Sequence, residues 1–429
     1  MKSMVAEDKM VFFVQVVVFF VLAFGFSVRK SATALPMILV IFSFILLCIR
    51  QDYREFVSNF VRKQWKLSFA LASLSLFIVA RELLQMSPDF KYADAASRFL
   101  FFIPICTLLI YFRISIEKVR WGFFCGVVFM FFSGFAHVYL IGGFDSGSNY
   151  GVRPSSYFTN TIPFSAFCLA LAISFVVWSV GRSRLDNFCS FIVILLTALV
   201  LFFSQSRGVW IGLSFSIFSI VLIFSKNRKR DISAVFLFSC LLFCLLYYFS
   251  EMFATRINMA AGEVIDFLNG KKDGSVSMRL DMAMASFYIF QENTLFGVGR
   301  NVVPALQDLY HRGLIGAAIS DAADTHGELF YNAASLGVFG FFSWVVFYCA
   351  TVKDFVLAAL GESADVKRIG VTGVSLMILF FFVGFTHITF GLSMYASYFI
   401  VLFSVLFASL QVDADVAGAS QSVLKVSVE

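Results

Sequence analysis

Charge is what this sequence has least of. Asp, Glu, Lys and Arg make up 14% of its 429 residues, against about 25% in an ordinary soluble domain. A chain that is 60% hydrophobic, with a mean hydropathy of +0.86, cannot cover a water-facing surface and reads as an integral membrane protein. Strict alternation of apolar and polar residues is missing as well. The apolar runs are continuous, unlike the ~10-residue alternating segments of a membrane β-barrel, so the backbone must be satisfied inside helices. Paired cysteines are absent: Cys48, Cys106, Cys125, Cys168, Cys189, Cys240, Cys244 and Cys349 all fall within apolar runs and none forms a CxxC. A disulfide framework and a thiolate metal site are thereby disfavoured, and packing is the reading that remains. No GxxxxGK[ST] occurs, and GVGRN around Arg300 follows no βαβ pattern, so nucleotide binding has no support. Internal repeats, expected of many transporters, are also lacking. The N-terminal MKSMVAEDK and the apolar stretch after it resemble a signal peptide, but SVRKSATALP offers no small-residue cleavage site, so a retained first span is expected.

What is abundant is phenylalanine, at 58 residues, and apolar stretches near the ~20 residues that cross a bilayer. Twelve spans are expected, at 11–27, 32–49, 66–85, 97–113, 119–142, 160–180, 187–204, 208–225, 232–250, 327–350, 368–386 and 390–410. The fold class is therefore an all-α polytopic membrane protein. It divides into spans one to nine (1–250), one long loop (251–326), and spans ten to twelve with a tail (327–429). With the N-terminus inside, 20 of the 33 Lys and Arg lie in inner segments, including RQDYREFVSNFVRKQWK and SKNRKRD, and 7 in short outer loops. That asymmetry places both termini in the cytoplasm. It also makes the net charge of +6 a topology signal, and no nucleic-acid partner is expected. Within the long loop, EMFATRINMAAGEVIDFLNG and SMRLDMAMASFYIFQEN mix apolar and polar residues at helical spacing. They read as helices lying in the membrane interface, with GKKDGS a turn between them.

On that assignment all four histidines, His137, His311, His326 and His387, lie at or near the outer side. Most isolated histidines are structural, but His326 has a distinctive address. Thr325-x-x-Glu328 fits a capping box, which would make His326 the first residue of span ten. The helix dipole there disfavours protonation, and a neutral imidazole can accept a proton. Gly337 and Gly340 fall near the same angular position at 100° per residue, a stripe suited to close helix packing. A second polar stretch, SQSRGVWIGL, places Arg207 at the start of an inward-running helix beside Ser206, a position suited to anions; a headgroup-snorkelling arginine is the plain alternative. Arg256, Arg279 and Arg300 in the long loop, and Arg153 beside NYGV, are further cations near the same side, each readable alone as a solvated residue. The aspartates in DAADTH permit a metal site on Asp321, Asp324 and His326, though loop-end aspartates more often cap or solvate.

Taken in order, SQSRGVWIGL, then SMRLDMAMASFYIFQENTLFGVGRN, then THGELFYNAASLGVFG, with the twelve-span outline, resemble the O-antigen ligase family. Related O-antigen polymerases and some protein O-oligosaccharyltransferases share this region. The resemblance implies a GT-C-type glycosyltransferase of the Gram-negative inner membrane, with a periplasmic active site and neither metal nor cofactor. Its implied partners are an undecaprenyl-diphosphate-linked polysaccharide as donor, lipid A–core as acceptor, and the surrounding membrane lipids. The implied roles are His326 as catalytic base and Arg207 and Arg279 as diphosphate ligands, with Arg300, Arg153, Ser206 and Glu328 as secondary candidates. Where family members often carry Thr-His-Asn, this chain has Thr325-His326-Gly327.

Overall fold

The computed structural model describes residues 2–84, 89–141, 153–225, 227–272 and 274–426. Among these there is no strand. Seventeen α-helices run in order as α1 (Lys2–Phe24), α2 (Ser31–Ile49), α3 (Gln51–Lys63), α4 (Trp65–Leu83), α5 (Ala93–Ser97), α6 (Phe102–Tyr111), α7 (Ile116–Ile141), α8 (Thr161–Ser179) and α9 (Arg184–Ser204). They continue as α10 (Arg207–Phe224), α11 (Arg228–Phe249), α12 (Glu251–Leu268), α13 (Ser275–Glu292), α14 (Val303–His311), α15 (Glu328–Ala359), α16 (Ala364–Gly384) and α17 (Ser393–Val426). The NYGV stretch before Arg153, and Asp273 of the expected GKKDGS turn, lie outside the described residues.

Among the described residues ten helical stretches are long and apolar enough to cross a membrane, two fewer than the sequence suggests. The difference lies in α1 and α4, which carry Glu7, Asp8 and Lys9, and Lys66, Arg81 and Glu82 respectively. Helix α3 was not expected. It occupies a basic segment and buries Tyr53 and Phe60, with the Tyr53 hydroxyl bonded to Ser43 (2.7 Å) and Thr107 (3.1 Å).

Helix α8 is apolar on every face and buried almost throughout, as a central helix must be. Two of its buried serines are satisfied locally: Ser165 and Ser174 donate to the carbonyls of Thr161 and Ala170. Around it stand α7, α9 and α16; α10 and α15 pack on α16, and α17 closes the core against α2 and α6. Helix α11 has no buried residue, so it leans on the bundle from outside. The long segment 251–326 folds as α12, α13, α14 and a 3-10 turn at Ala317–Ile319, in line with the two expected helices. A small core of its own, including Met282, Ile289, Leu306, Leu309 and Ile319, holds it together. The buried Asp281 ties it down further, pairing with Lys272 at 2.7 Å and accepting the Gly316 N–H at 2.7 Å.

Helix α15 is broken at Gly337, whose φ of +64° suits glycine. The segment 294–299 lies against the break. Val298 and Gly299 donate to the carbonyls of Ala334 and Ser335, and Val338 donates to the carbonyl of Thr294 at 2.7 Å. Backbone groups freed by the break are thus satisfied by the loop. A Cβ at Gly337 would lie 2.3 Å from the Thr294 oxygen. The expected small-residue stripe through His326, Gly337 and Gly340 is therefore corrected: Gly337 receives a loop, not a neighbouring helix.

Candidate functional site: an arginine cluster beside a histidine–aspartate pair

The polar residues singled out in the sequence gather at one end of the bundle, where α10 and α15 begin and α16 ends. Gln205 adopts a left-handed conformation and ends α9, so the chain reverses and Arg207 opens α10. Ser206 precedes it, buried, with no side-chain bond into the helix. One Arg207 nitrogen donates to the Arg256 carbonyl (3.0 Å) and another lies 3.9 Å from a Glu263 oxygen. Glu263, on α12, also accepts the Val276 N–H at 2.7 Å, which docks the start of α13 against it. That places Arg279, one turn along α13, on the same cluster. Its Nη1 donates to the Ser275 carbonyl (2.8 Å) and to the Ser275 hydroxyl, while its buried Nε has no hydrogen-bond partner. Burial lowers the Arg279 pKa from its ordinary value, the nearby charges of Arg207 and Arg153 lower it further, and Glu263 opposes them. Arg153 donates to the Ser204 carbonyl (3.4 Å) and Arg256 bonds to the side chain of Gln205. Guanidinium groups drawn together against their own repulsion make a site that gains from an anion.

His326 lies in a left-handed conformation at φ +54°, just ahead of α15. Its backbone N–H (2.8 Å) and its ring Nδ1 (2.5 Å) both bond the same oxygen, Oδ1 of Asp324. A carboxylate accepts, so Nδ1 carries the proton and Nε2 keeps the lone pair. Burial works to raise the Asp324 pKa, but the hydrogen bonds from the His326 ring and backbone outweigh it, and the pKa falls below its ordinary value. This corrects the expected capping box. Helix α15 begins at Glu328, with Gly327 at the cap position and no side-chain cap. The Thr325 hydroxyl is buried without a partner. Glu328 turns away from the helix start and accepts the Phe390 N–H at 3.1 Å, in the turn before α17. The feature that orients the imidazole is the Asp324 carboxylate; His326 is outside the helix.

The end of α16 joins the two groups. A Cβ at Gly208 would lie 2.2 Å from Thr386 Oγ1, and one at Gly327 would lie 3.2 Å from the Phe385 carbonyl. Residues on either side of the site, Arg207 and His326, are thus chain neighbours of glycines seated on one short stretch, 385–386. His387 follows directly and is half-buried. Burial pulls its pKa down to about 4, the His326 and Arg279 charges pull the same way, and Asp324 opposes them. His387 therefore feels both the arginine cluster and the His326–Asp324 pair and stays neutral at physiological pH.

The other candidates lie farther out. Arg300 is ion-paired with Asp89 at 2.8 Å, and Asp321 accepts from Gln307 at 2.8 Å. His137 bonds Ser155 at 3.2 Å, and His311 is exposed at the end of α14. Among the described residues no group of three or more His, Cys, Asp and Glu is placed to hold a metal ion. Sequence reading passed over Asp324 as the histidine's partner and Glu263 as the link between α10 and α13, and it named His387 without giving it a role. For Asp324 the signal was present: an aspartate two residues before His326 is the spacing of an Asx turn.

Fold and site together define a polytopic all-α membrane protein with an anion-attracting arginine cluster next to a carboxylate-oriented histidine. The family model described as O-Antigen ligase matches residues 191–345, which include Arg207, Arg279, Asp324 and His326. Over that stretch the chain is similar to the O-antigen ligase family, as the three motifs suggest. A comparison with curated proteins finds no match.

Proposed function

We propose that the protein is an O-antigen ligase proper, moving a polysaccharide from undecaprenyl diphosphate to a hydroxyl of lipid A–core. The observation that carries this reading is the seating of the arginine cluster and the His326–Asp324 pair on the same end of α16, within the matched domain. A diphosphate needs paired guanidinium groups, and a sugar hydroxyl needs a base. Arg207 and Arg279 grip the diphosphate and stabilise charge growing on its leaving oxygen. The acceptor oxygen bonds to the anomeric carbon as the bond from that carbon to the diphosphate breaks. The hydroxyl proton passes to Nε2 of His326, the diphosphate lipid leaves with the electron pair, and a single displacement inverts the anomeric centre. Asp324 faces the imidazolium as it forms. No metal enters this scheme. The site faces the periplasm of the inner membrane, both termini lie in the cytoplasm, and α12 and α13 rest at the membrane surface, where the lipid-borne substrates arrive.

The test is a transfer assay with purified protein and undecaprenyl-diphosphate glycan, with and without EDTA. Lipid A–core, a lipid-linked repeat and a Ser/Thr peptide are offered in parallel. Glycosylated lipid A–core at an unchanged rate in EDTA is the expected result. Product on the lipid-linked repeat alone would make the protein a polymerase. Product on peptide alone would make it a protein O-oligosaccharyltransferase. Donor movement across liposomes without any covalent product would make it a transporter.

A further inference from the structure

A second polar chamber, of about 210 Å³, opens near the His326–Asp324 pair: Glu328, two residues after His326, is part of its lining. Its lining includes Lys91, Asp94, Arg300, Glu328, Tyr331 and Ser393. Ile388, which follows His387, forms part of its wall, and Tyr331 lies within reach of the Asp324 charge. We propose that this chamber binds the acceptor, holding one uncharged sugar ring with its hydroxyl turned toward His326. The inference rests on the transferase reading above and assigns that reaction's second substrate to a place.

Electrostatics separate the two halves. In the arginine cluster, neighbouring guanidinium charges bear on one another, so it selects an anion. Two of the four charged residues in the chamber's lining are closed into pairs: Arg300 with Asp89 at 2.8 Å, and Asp94 with Arg98 at 2.6 Å. Paired charges and neutral donors and acceptors suit hydroxyl groups and give a second diphosphate little to hold. The rings of Tyr92 and Tyr331 meet edge to face, with centroids 6.5 Å apart, and make an aromatic corner for the C–H groups of a sugar. Tyr92 is fixed by its bond to Ser335 (2.6 Å), and Tyr331 by its bond to the Arg300 carbonyl (3.0 Å).

Glu328 stands between this chamber and a smaller one. It is 4% exposed, one oxygen accepts from Phe390, and Oε2 has no hydrogen bond. Buried polar atoms are almost always paired; the Tyr348 hydroxyl and the Trp344 indole nitrogen are unpartnered too, and a Cβ at Gly384 would lie 3.6 Å from Oε2 and 3.8 Å from the Tyr348 hydroxyl, so Oε2 faces that side. Glu328 also forms part of a smaller cavity of about 30 Å³ beside Trp344 and Tyr348, the scale of a single water. The larger chamber has room for about seven waters by the same measure, the scale of a sugar ring.

The experiment measures binding of labelled core oligosaccharide, freed from lipid A, to the full chain in nanodiscs, with the transfer assay run in parallel. The wild type is expected to bind it, and inorganic pyrophosphate is expected not to displace it. Tyr331→Ala and Glu328→Gln are expected to weaken binding at least tenfold while undecaprenyl diphosphate binding holds. Ser393→Trp, at the start of α17, fills the chamber without altering Glu328 and gives the same loss should Glu328→Gln fold poorly. Displacement by pyrophosphate, loss of binding in Arg207→Ala in place of the chamber variants, or no binding at all would overturn the inference. Core binding that obeys these expectations without transfer to any acceptor would uphold the chamber and defeat the proposed reaction.

Discussion

Replacing Asp324 tests the site most sharply, because one oxygen of its carboxylate takes both His326 contacts, the backbone N–H at 2.8 Å and Nδ1 at 2.5 Å. In Asp324→Asn the amide oxygen can accept both bonds in the same geometry. The turn and the tautomer survive, and only the negative charge facing the nascent imidazolium is lost. Hydrogen bonds to charged partners contribute about 1.5–3 kcal/mol and neutral ones about 0.5–1.5, so the change removes about 1–1.5 kcal/mol. At about 1.4 kcal/mol per tenfold, kcat should fall roughly tenfold. The side chains are 47% and 35% exposed, and solvent screening favours the lower part of that range. Asp324→Ala removes both bonds and the tautomer lock; the loss of the imidazole bond alone, about 1.5–3 kcal/mol, sets a fall of at least roughly 10- to 150-fold. His326→Ala removes the base itself, at a cost of roughly 100- to 10,000-fold. The assay is single-turnover transfer with saturating donor and acceptor, with undecaprenyl diphosphate affinity as the control for folding. The expected order of rates is wild type, Asn, Ala at 324, then His326→Ala, with donor affinity level throughout. Asparagine falling as far as His326→Ala would refute the single-oxygen reading, since the amide would then have turned its N–H toward Nδ1. Alanine at 324 keeping the wild-type rate would reduce Asp324 to a loop residue.

Other expectations follow from the same geometry. Arg207→Ala and Arg279→Ala should each raise the donor KM and lower turnover; lysine should rescue little, because an ammonium lacks the guanidinium fork, and unchanged donor kinetics in either alanine variant would make that arginine structural. Arg300→Ala, paired with Asp89 outside the cluster, should leave the donor KM alone. His387, with its pKa down at about 4 against about 6.5 when unfolded, should weaken the fold as pH drops between those values, because the unfolded chain takes up a proton the folded one refuses; thermal unfolding at pH 7.5 and 5 should show a smaller acid loss in His387→Gln. Gly337→Ala should cost about 1–3 kcal/mol from the left-handed backbone and more from the clash with Thr294, read as a lowered Tm; an unchanged Tm would mean the break in α15 yields easily.

The helices were legible because a bilayer span needs only length and apolarity, which a sequence states directly; Ser31–Ile49 and Thr161–Ser179 start and end within a residue of where their runs suggest. Helix α3 escaped notice because its apolar positions, Tyr53, Val57 and Phe60, are spaced for one face inside a charged segment that reads as a loop. The break at Gly337 depends on 294–299, some forty residues upstream, and no local pattern announces that pairing. Thr325-x-x-Glu328 shows the same limit from the other side. The motif is present, yet amides of the turn before α17 compete for Glu328, and a capping box gives way when a distant backbone N–H offers the same bond inside a dry environment. The arginines and histidines were identified as types, but their meeting depends on α16 ending between Gly208 and Gly327. Side chains at helix ends are placed by tertiary contacts, since the local hydrogen-bond pattern stops there. The residues proposed to do the chemistry therefore stand where sequence determines conformation least, and Asp324, whose contact with His326 spans only two residues, is the exception that sequence alone could have supplied.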